Sequence, residues 1–294
     1  MEISVAGMFG NSPRRDGAFV KATAQTLEQL GFRALYAPEH VVFFPAYESK
    51  YPYSEDGSAR WGPETGIYDP LFVAMLALDA TTTLRFCTGI VILPQRPALL
   101  SAKEVLTLDH FSGGRFEFGV GSGWSWEEYA ALGVPFERRG RRMDEYIEAM
   151  RVAWTEDRAT FHGEFVSFDD VVLNPKPVTP GGPPIIVGGS APAAMRRAAR
   201  MGAGWYGWWP DHYDIETHTA EFAEVLAAEG RSMTDADFSC RIGVPLTTET
   251  PDEIAAKLDT LRRLGYDEAV LVGPLPTKTM EEALAGLAEV AGLS

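Results

Sequence analysis

The run ALYAPEHVVFFP at residues 34–45 opens as an apolar strand and closes on two ionisable side chains, Glu39 and His40. A histidine beside a carboxylate can exchange a proton near neutral pH or donate a hydrogen bond to a ligand. It can equally cap a neighbouring backbone group and do no chemistry. Glu39 also has two readings: it orients His40, or it pairs with an arginine beneath the rim of the fold.

Three further stretches hold residues of chemical interest. In CTGIVILPQRP (87–97), Gly89 interrupts a β-branched strand. Such a glycine marks a bulge, the close approach of a flat molecule, or a mere irregularity of packing. FGVGSGW (118–124) places Gly119, Gly121 and Gly123 at alternate positions, which clears space beside Trp124 and Trp126. Its G-x-G-x-G spacing is not a dinucleotide fingerprint. VGGSAPAAMRRAAR (187–200) runs from a Gly188-Gly189-Ser190 turn into a helix with Pro192 in its first turn. Exposed amides at a positive helix end suit a phosphate, and Ser190 serves either as helix cap or as phosphate ligand. Finally, GWYGWWPDHYD (204–214) crowds Trp205, Tyr206, Trp208 and Trp209; by strand alternation, one of the last two reaches the rim.

Other chemistries find no support. There is no H-E-x-x-H, no H-x-H on the first strand and no cysteine pair at ligand spacing, so no metal site is expected. The serine of GVGSGW is in the wrong frame for a nucleophile elbow. His110 reads as a helix C-terminal cation, His212 as a surface residue, and His162 and His218 as solvated.

Short apolar runs at 3–9, 34–38, 84–93, 115–121, 184–189, 204–209, 237–246 and 268–273 predict strands. Helical periods near 16–30, 69–81, 97–110, 138–154, 191–201, 214–229, 251–264 and 278–291 follow them. Asp69-Pro70 supplies a cap and a first-turn proline, and Thr250 with Glu253 a capping box. Eight near-continuously apolar strands, each followed by a helix, predict an α/β protein with a parallel (β/α)8 barrel, of TIM-barrel class, as one domain over 1–294. Two insertions, 41–68 after the second strand and 155–183 after the fourth, exceed ordinary loop length. In such barrels the chemistry collects at the C-terminal strand ends. Glu39 and His40 therefore belong at the mouth, with the first insertion as a lid over them.

The composition fits: 46% hydrophobic and 23% charged residues describe a globular chain. A net charge of −15 repels phosphate backbones and anionic lipid, which argues against nucleic-acid or membrane partners and for a small-molecule substrate. Cys87 and Cys240 lie in apolar runs, as suits a reducing cytoplasm. No signal peptide and no apolar run of the roughly 20 residues that span a bilayer are visible.

Taken together, GFRALYAPEHVVFFPAY, YDPLFVAMLALDATTTLRFCTGIVILPQRP, LDHFSGGRFEFGVGSGW, LGVPFERRGRRMDEYIEAMRVAWTED and PPIIVGGSAPAAMRRAARMGAGWYGW resemble the bacterial luciferase-like superfamily. The resemblance is closer to the branch that depends on coenzyme F420, a deazaflavin, and covers residues 1 to about 210. It implies an F420-dependent oxidoreductase that moves a hydride between the ring and an organic substrate, with His40 handling the proton. Gly89 and Ile90 fall where relatives carry a non-proline cis peptide under the ring; Gly121 and Trp124 would line the pocket, and Gly188, Gly189 and Ser190 would hold the cofactor phosphate. Trp124 stands where sugar-phosphate dehydrogenases of the superfamily carry a glutamate. That departure implies a more apolar substrate, in keeping with Phe43, Phe44, Tyr47, Tyr51, Tyr53 and Trp61 in the lid and Trp208 at the rim. Two alternatives stand beside this reading: an FMN-dependent monooxygenase fed by a separate reductase, and a non-catalytic flavin-binding protein. Relatives commonly dimerise through barrel helices, which implies a homodimer.

Overall fold

The computed structural model describes residues 1–7, 9–11, 16–59, 61–209, 214–246, 249–273 and 280–293. His212 lies outside them. Barrel strands β1 (Glu2–Ala6), β2 (Ala34–Ala37) and β3 (Arg85–Thr88) are followed by a short β4 (Val91–Ile92) and by β5 (Phe116–Gly121). A separate hairpin of β6 (Ala159–His162) and β7 (Ser167–Val171) precedes β8 (Ile185–Gly188), β9 (Gly204–Trp208), β10 (Ser239–Pro245) and β11 (Glu268–Val272). Parallel pairing runs β1–β2–β3–β5–β8–β9–β10–β11 and back to β1, so the eight-stranded barrel closes. Around it lie α1 (Gly17–Gln29), α2 (Pro70–Asp79), α3 (Ala98–Ser112), α4 (Trp126–Ala131), α5 (Arg139–Thr155), α6 (Pro192–Met201), α7 (Ile215–Ala228), α8 (Pro251–Leu264) and α9 (Met280–Ala291).

The local signals act as read. The Asp69 carboxylate accepts the Leu71 amide at 2.8 Å to start α2, and Thr250 with Glu253 forms a complete capping box on α8. Inward and outward faces of the strands are both largely apolar and buried, as in β11, where the successive large side chains of Val270 and Leu271 are both inaccessible. Each such side chain contributes about 1.5–3 kcal/mol by leaving water.

The interior divides into two levels. At the strand starts, Glu117 receives Arg33 and Arg85 at 2.6 and 2.8 Å and also pairs with Arg241. Glu268 takes Ser4 and Tyr36 hydroxyls at 2.5 and 3.0 Å and Arg33 at 3.0 Å. Burial alone would raise the Glu117 carboxyl, but the surrounding guanidiniums overcome it and hold the group far below its ordinary range. This ionic floor seals the barrel at that end. Above it the rings of Tyr36 and Tyr206 pack at 5.3 Å, and Gly89 lies against both.

Three departures from the sequence reading have physical causes. The expected strand 84–93 is broken: the Gly89–Ile90 peptide is cis, and the chain re-pairs with β5 only at Val91 and Ile92 before a 3-10 turn at Leu93–Gln95. Helix α4 is too short to display a period, and no helix is expected there. His218 is not solvated; it is 7% exposed against Trp205, and burial lowers its pKa.

Candidate active site

His40 emerges at the mouth three residues beyond β2. Its Nδ1 lies 2.9 Å from Oε2 of Glu128, and Oε1 of the same carboxylate accepts the Val41 amide at 2.6 Å. The two side chains are 9% and 1% exposed, so the pair is screened from bulk water. The rings of Phe43, Trp61 and Trp124 surround the imidazole at 5.3, 5.5 and 6.0 Å. No other hydrogen bond to the His40 ring occurs among the described residues, which leaves Nε2 for a ligand.

Glu39 does not orient His40. Its carboxylate accepts Nε and an Nη of Arg96 at 2.9 and 2.5 Å and the Ile92 amide at 2.6 Å, and Arg96 also reaches Asp69 at 2.6 Å. Of the two expectations for Glu39, the arginine pair under the rim is the arrangement present; engaged with Arg96 and the Ile92 amide, Glu39 takes no catalytic place beside His40. Burial pushes its pKa up even against Arg96. Its work is to fasten the end of β2 to the turn after β4 and to the start of α2.

The insertion after β2 folds back as an aromatic wall. Trp124 meets Tyr47 at 5.0 Å and Tyr51 at 5.4 Å; Tyr51 meets Trp61 at 5.0 Å and Tyr53 at 5.5 Å; and Tyr53 reaches Trp208 at 6.3 Å. Phe44 packs on Tyr47 at 5.7 Å, behind the Tyr47–Trp124 pair that reaches His40. Edge-to-face pairs of this kind contribute about 0.5–1.5 kcal/mol each beyond burial. Helix α4 anchors the wall: the Glu127 carboxylate accepts the Glu48 and Ser49 amides at 2.7 and 2.9 Å, and the Ser49 hydroxyl accepts the Trp126 amide at 3.0 Å. Trp126 itself is 42% exposed in an outer groove with Val134, Pro135 and Phe136, so only Trp124 flanks the mouth. Of the neighbouring tryptophans, Trp208 faces Tyr53, whereas Trp209 packs against the core. Among the described residues, no acceptor meets the buried indole N–H of Trp124 or of Trp208.

Glycines shape the opposite side. A Cβ on Gly121 would lie 2.7 Å from Ile90, and one on Gly188 2.6 Å from it, so the Ile90 side chain occupies the room that the two glycines leave. Gly189 has φ +118°, open to glycine alone at little cost. Ser190 is not the cap of α6; Ala191 is. The Ser190 hydroxyl instead accepts the Trp208 amide at 3.0 Å, and the Ser190 backbone amide donates to the Tyr53 hydroxyl at 3.2 Å.

The structure thus brings His40, Phe43, Tyr51, Trp61, Trp124, Gly121, Ile90, Gly188, Gly189, Ser190 and Trp208 around one end of the barrel. Sequence reasoning missed Glu127 and Glu128. Ser125-Trp126-Glu127-Glu128 carries the S-x-x-E spacing of a helix start, a signal strong enough to find α4 but silent on where the carboxylates turn.

Residues 1–289 match the luciferase-like monooxygenase family, and the chain belongs to it. It is 39% identical over 202 residues to an uncharacterized protein of Mycobacterium tuberculosis, covering 68% of this chain and 69% of that one. It is also 39% identical over 212 residues to an FMNH(2)-dependent dimethylsulfone monooxygenase of Pseudomonas putida, covering 69% and 55%. The coenzyme F420-dependent tetrahydromethanopterin reductase of Methanopyrus kandleri superposes with a TM-score of 0.75 at 14% identity, over 98% of each chain, a likeness of fold.

Proposed function

We propose that this protein is a coenzyme F420-dependent oxidoreductase acting on a largely apolar or aromatic substrate. The observation that carries the reading is the screened His40 imidazole, backed by a carboxylate and walled by aromatic rings at the C-terminal end of the barrel. Two-electron oxidation or reduction of an organic molecule by hydride requires one proton to be taken up or released, and a held imidazole is suited to that. The deazaflavin, when bound, would supply the hydride chemistry.

The residues present suit such a ring. Two buried indole donors lack acceptors among the described residues, and an unsatisfied buried N–H costs about 1–3 kcal/mol, which carbonyl or hydroxyl oxygens of a polar heterocycle would relieve. Trp124, Gly121 and the Gly89–Ile90 peptide would sit beside the ring, and the turn of Gly188, Gly189 and Ser190 would hold its phosphate through the Ser190 amide, since the Gly189 amide is already given to the Tyr206 carbonyl at 3.0 Å. The amide of Ser190 already points at a hydroxyl oxygen, that of Tyr53. The wall of Phe43, Phe44, Tyr51 and Trp61 favours apolar substrates and excludes water from the proton-handling group.

A second reading keeps the site and replaces the cofactor with reduced FMN, fed by a separate reductase, with oxygen as the second substrate. The 39% identity to an FMNH(2)-dependent monooxygenase favours it. Fluorescence titration with F420 and with FMN, together with oxygen uptake, separates the two: tight FMN binding with oxygen consumption rejects the F420 reading. Turnover with either cofactor, lost in His40→Ala, rejects a purely binding role.

A homodimer completes the proposal. Helix α2 is apolar from Pro70 to Leu78 and its outer Phe72 is 75% exposed; on α3, which packs against α2, Leu100 and Phe111 are 52% and 67% exposed. A helix apolar all round belongs in an interior, and a partner's matching face provides one. The two free cysteines are buried, and burial pushes the Cys240 thiol up to about 12, in keeping with a reducing cytoplasm.

A further inference from the structure

Helix α4 begins as a capping box should: the Ser125 hydroxyl accepts the Glu128 amide at 3.2 Å. In a complete box the glutamate would turn back to the amide of its own cap. Glu128 does not follow that pattern. Its carboxylate crosses to the loop after β2, where one oxygen takes the Val41 amide and the other meets Nδ1 of His40. A carboxylate 1% exposed is costly to bury unless its oxygens are met, and here both are.

From this geometry we infer that Glu128 is a positioning residue that holds neutral His40 as the Nδ1–H tautomer, so that Nε2 is the proton-accepting atom presented at the mouth. The ring nitrogen that carries the proton is set by the partner of the other. An ionised carboxylate can only accept, so it calls for a proton on Nδ1. Competing ionisable groups nearby are engaged elsewhere: Glu39 with Arg96, Glu127 with the Glu48 and Ser49 amides, and the Tyr47 hydroxyl with the Phe44 amide. The bland alternative is that Glu128 only pins the loop through Val41. The inference deepens the oxidoreductase reading and rests on it for the reaction, but the tautomer is a property of the protein without any cofactor.

The test is two-bond 1H–15N spectroscopy of 15N-histidine-labelled protein, free of cofactor, with the His40 signals identified by their loss in His40→Asn. The expected spectrum of the neutral ring has a proton on Nδ1 and a bare Nε2, and Glu128→Ala shifts the population toward Nε2–H. A wild-type ring protonated on Nε2, or a tautomer unchanged in a folded Glu128→Ala protein, overturns the inference. Should that variant fail to fold, the wild-type spectrum decides alone. With cofactor and substrate in hand, kcat should fall about 10²-fold in Glu128→Ala with KM within a few-fold, and Glu128→Asp should recover part of it. Loss confined to KM would assign Glu128 to the loop alone. Failure of F420 to bind, by contrast, removes the cofactor assignment and leaves the spectrum untouched.

Discussion

The Tyr53 hydroxyl and the Ser190 amide meet at 3.2 Å across 137 positions of sequence, joining the aromatic wall to the turn before α6. The hydroxyl stands where the proposed phosphate would take the same N–H. Tyr53→Phe frees the donor while keeping the ring on Tyr51 and Trp208. One neutral hydrogen bond nets about 1 kcal/mol, so F420 affinity in a fluorescence titration should rise roughly fivefold. Affinity that falls instead would mean that Tyr53 binds the phosphate directly.

Arg96 holds Glu39, the Ile92 turn and Asp69 in one knot. Arg96→Met leaves a buried carboxylate without its cation, a loss of about 3–5 kcal/mol. Thermal and urea unfolding should both register it. A loss below about 1 kcal/mol would show that Glu39 takes up a proton instead and tolerates the change.

Acid should loosen the wall through Glu127. Burial raises its pKa, but hydrogen bonds from Ser49 and Ser125 prevail and bring it to about 2, against an ordinary 4.5. A folded-state pKa that is depressed stabilises above the unfolded value and loses that contribution as pH falls from about 4.5 toward about 2. Hydrogen exchange at the Glu48 and Ser49 amides should therefore gain protection between pH 3 and pH 5, after correction for intrinsic rates, in the wild type and not in Glu127→Gln. Equal protection in both would remove Glu127 as the clasp.

Phe72→Asp places a charge on the exposed face of α2 and should yield monomers in analytical ultracentrifugation with unfolding otherwise near wild type. A dimer that persists would locate the interface elsewhere.

Much of this architecture is legible in the residues because its causes are local or periodic. Strand apolarity, the Asp69 and Thr250 caps and the alternating Gly119, Gly121 and Gly123 all act within a few positions or at fixed alternation. The place of His40 at the mouth is legible because a polar side chain ending an apolar strand has few places to go. What escapes is pairing at long range. Glu128 sits 88 positions from His40, and nothing along the chain distinguishes its carboxylate from that of an ordinary helix start. Glu39 shows the converse: adjacency to His40 suggests partnership, whereas successive side chains after a strand diverge, and Arg96 claims it.

Helix α4 carries the wall's clasp and the imidazole's counterpart on consecutive residues, Glu127 and Glu128. Anyone grafting a new substrate loop onto this scaffold would therefore have to transplant residues 41–68 and 125–131 as a single cassette. Swapping the loop by itself would strand both carboxylates, so, on the proposed function, selectivity and reactivity should drift together in laboratory evolution rather than being tuned one at a time.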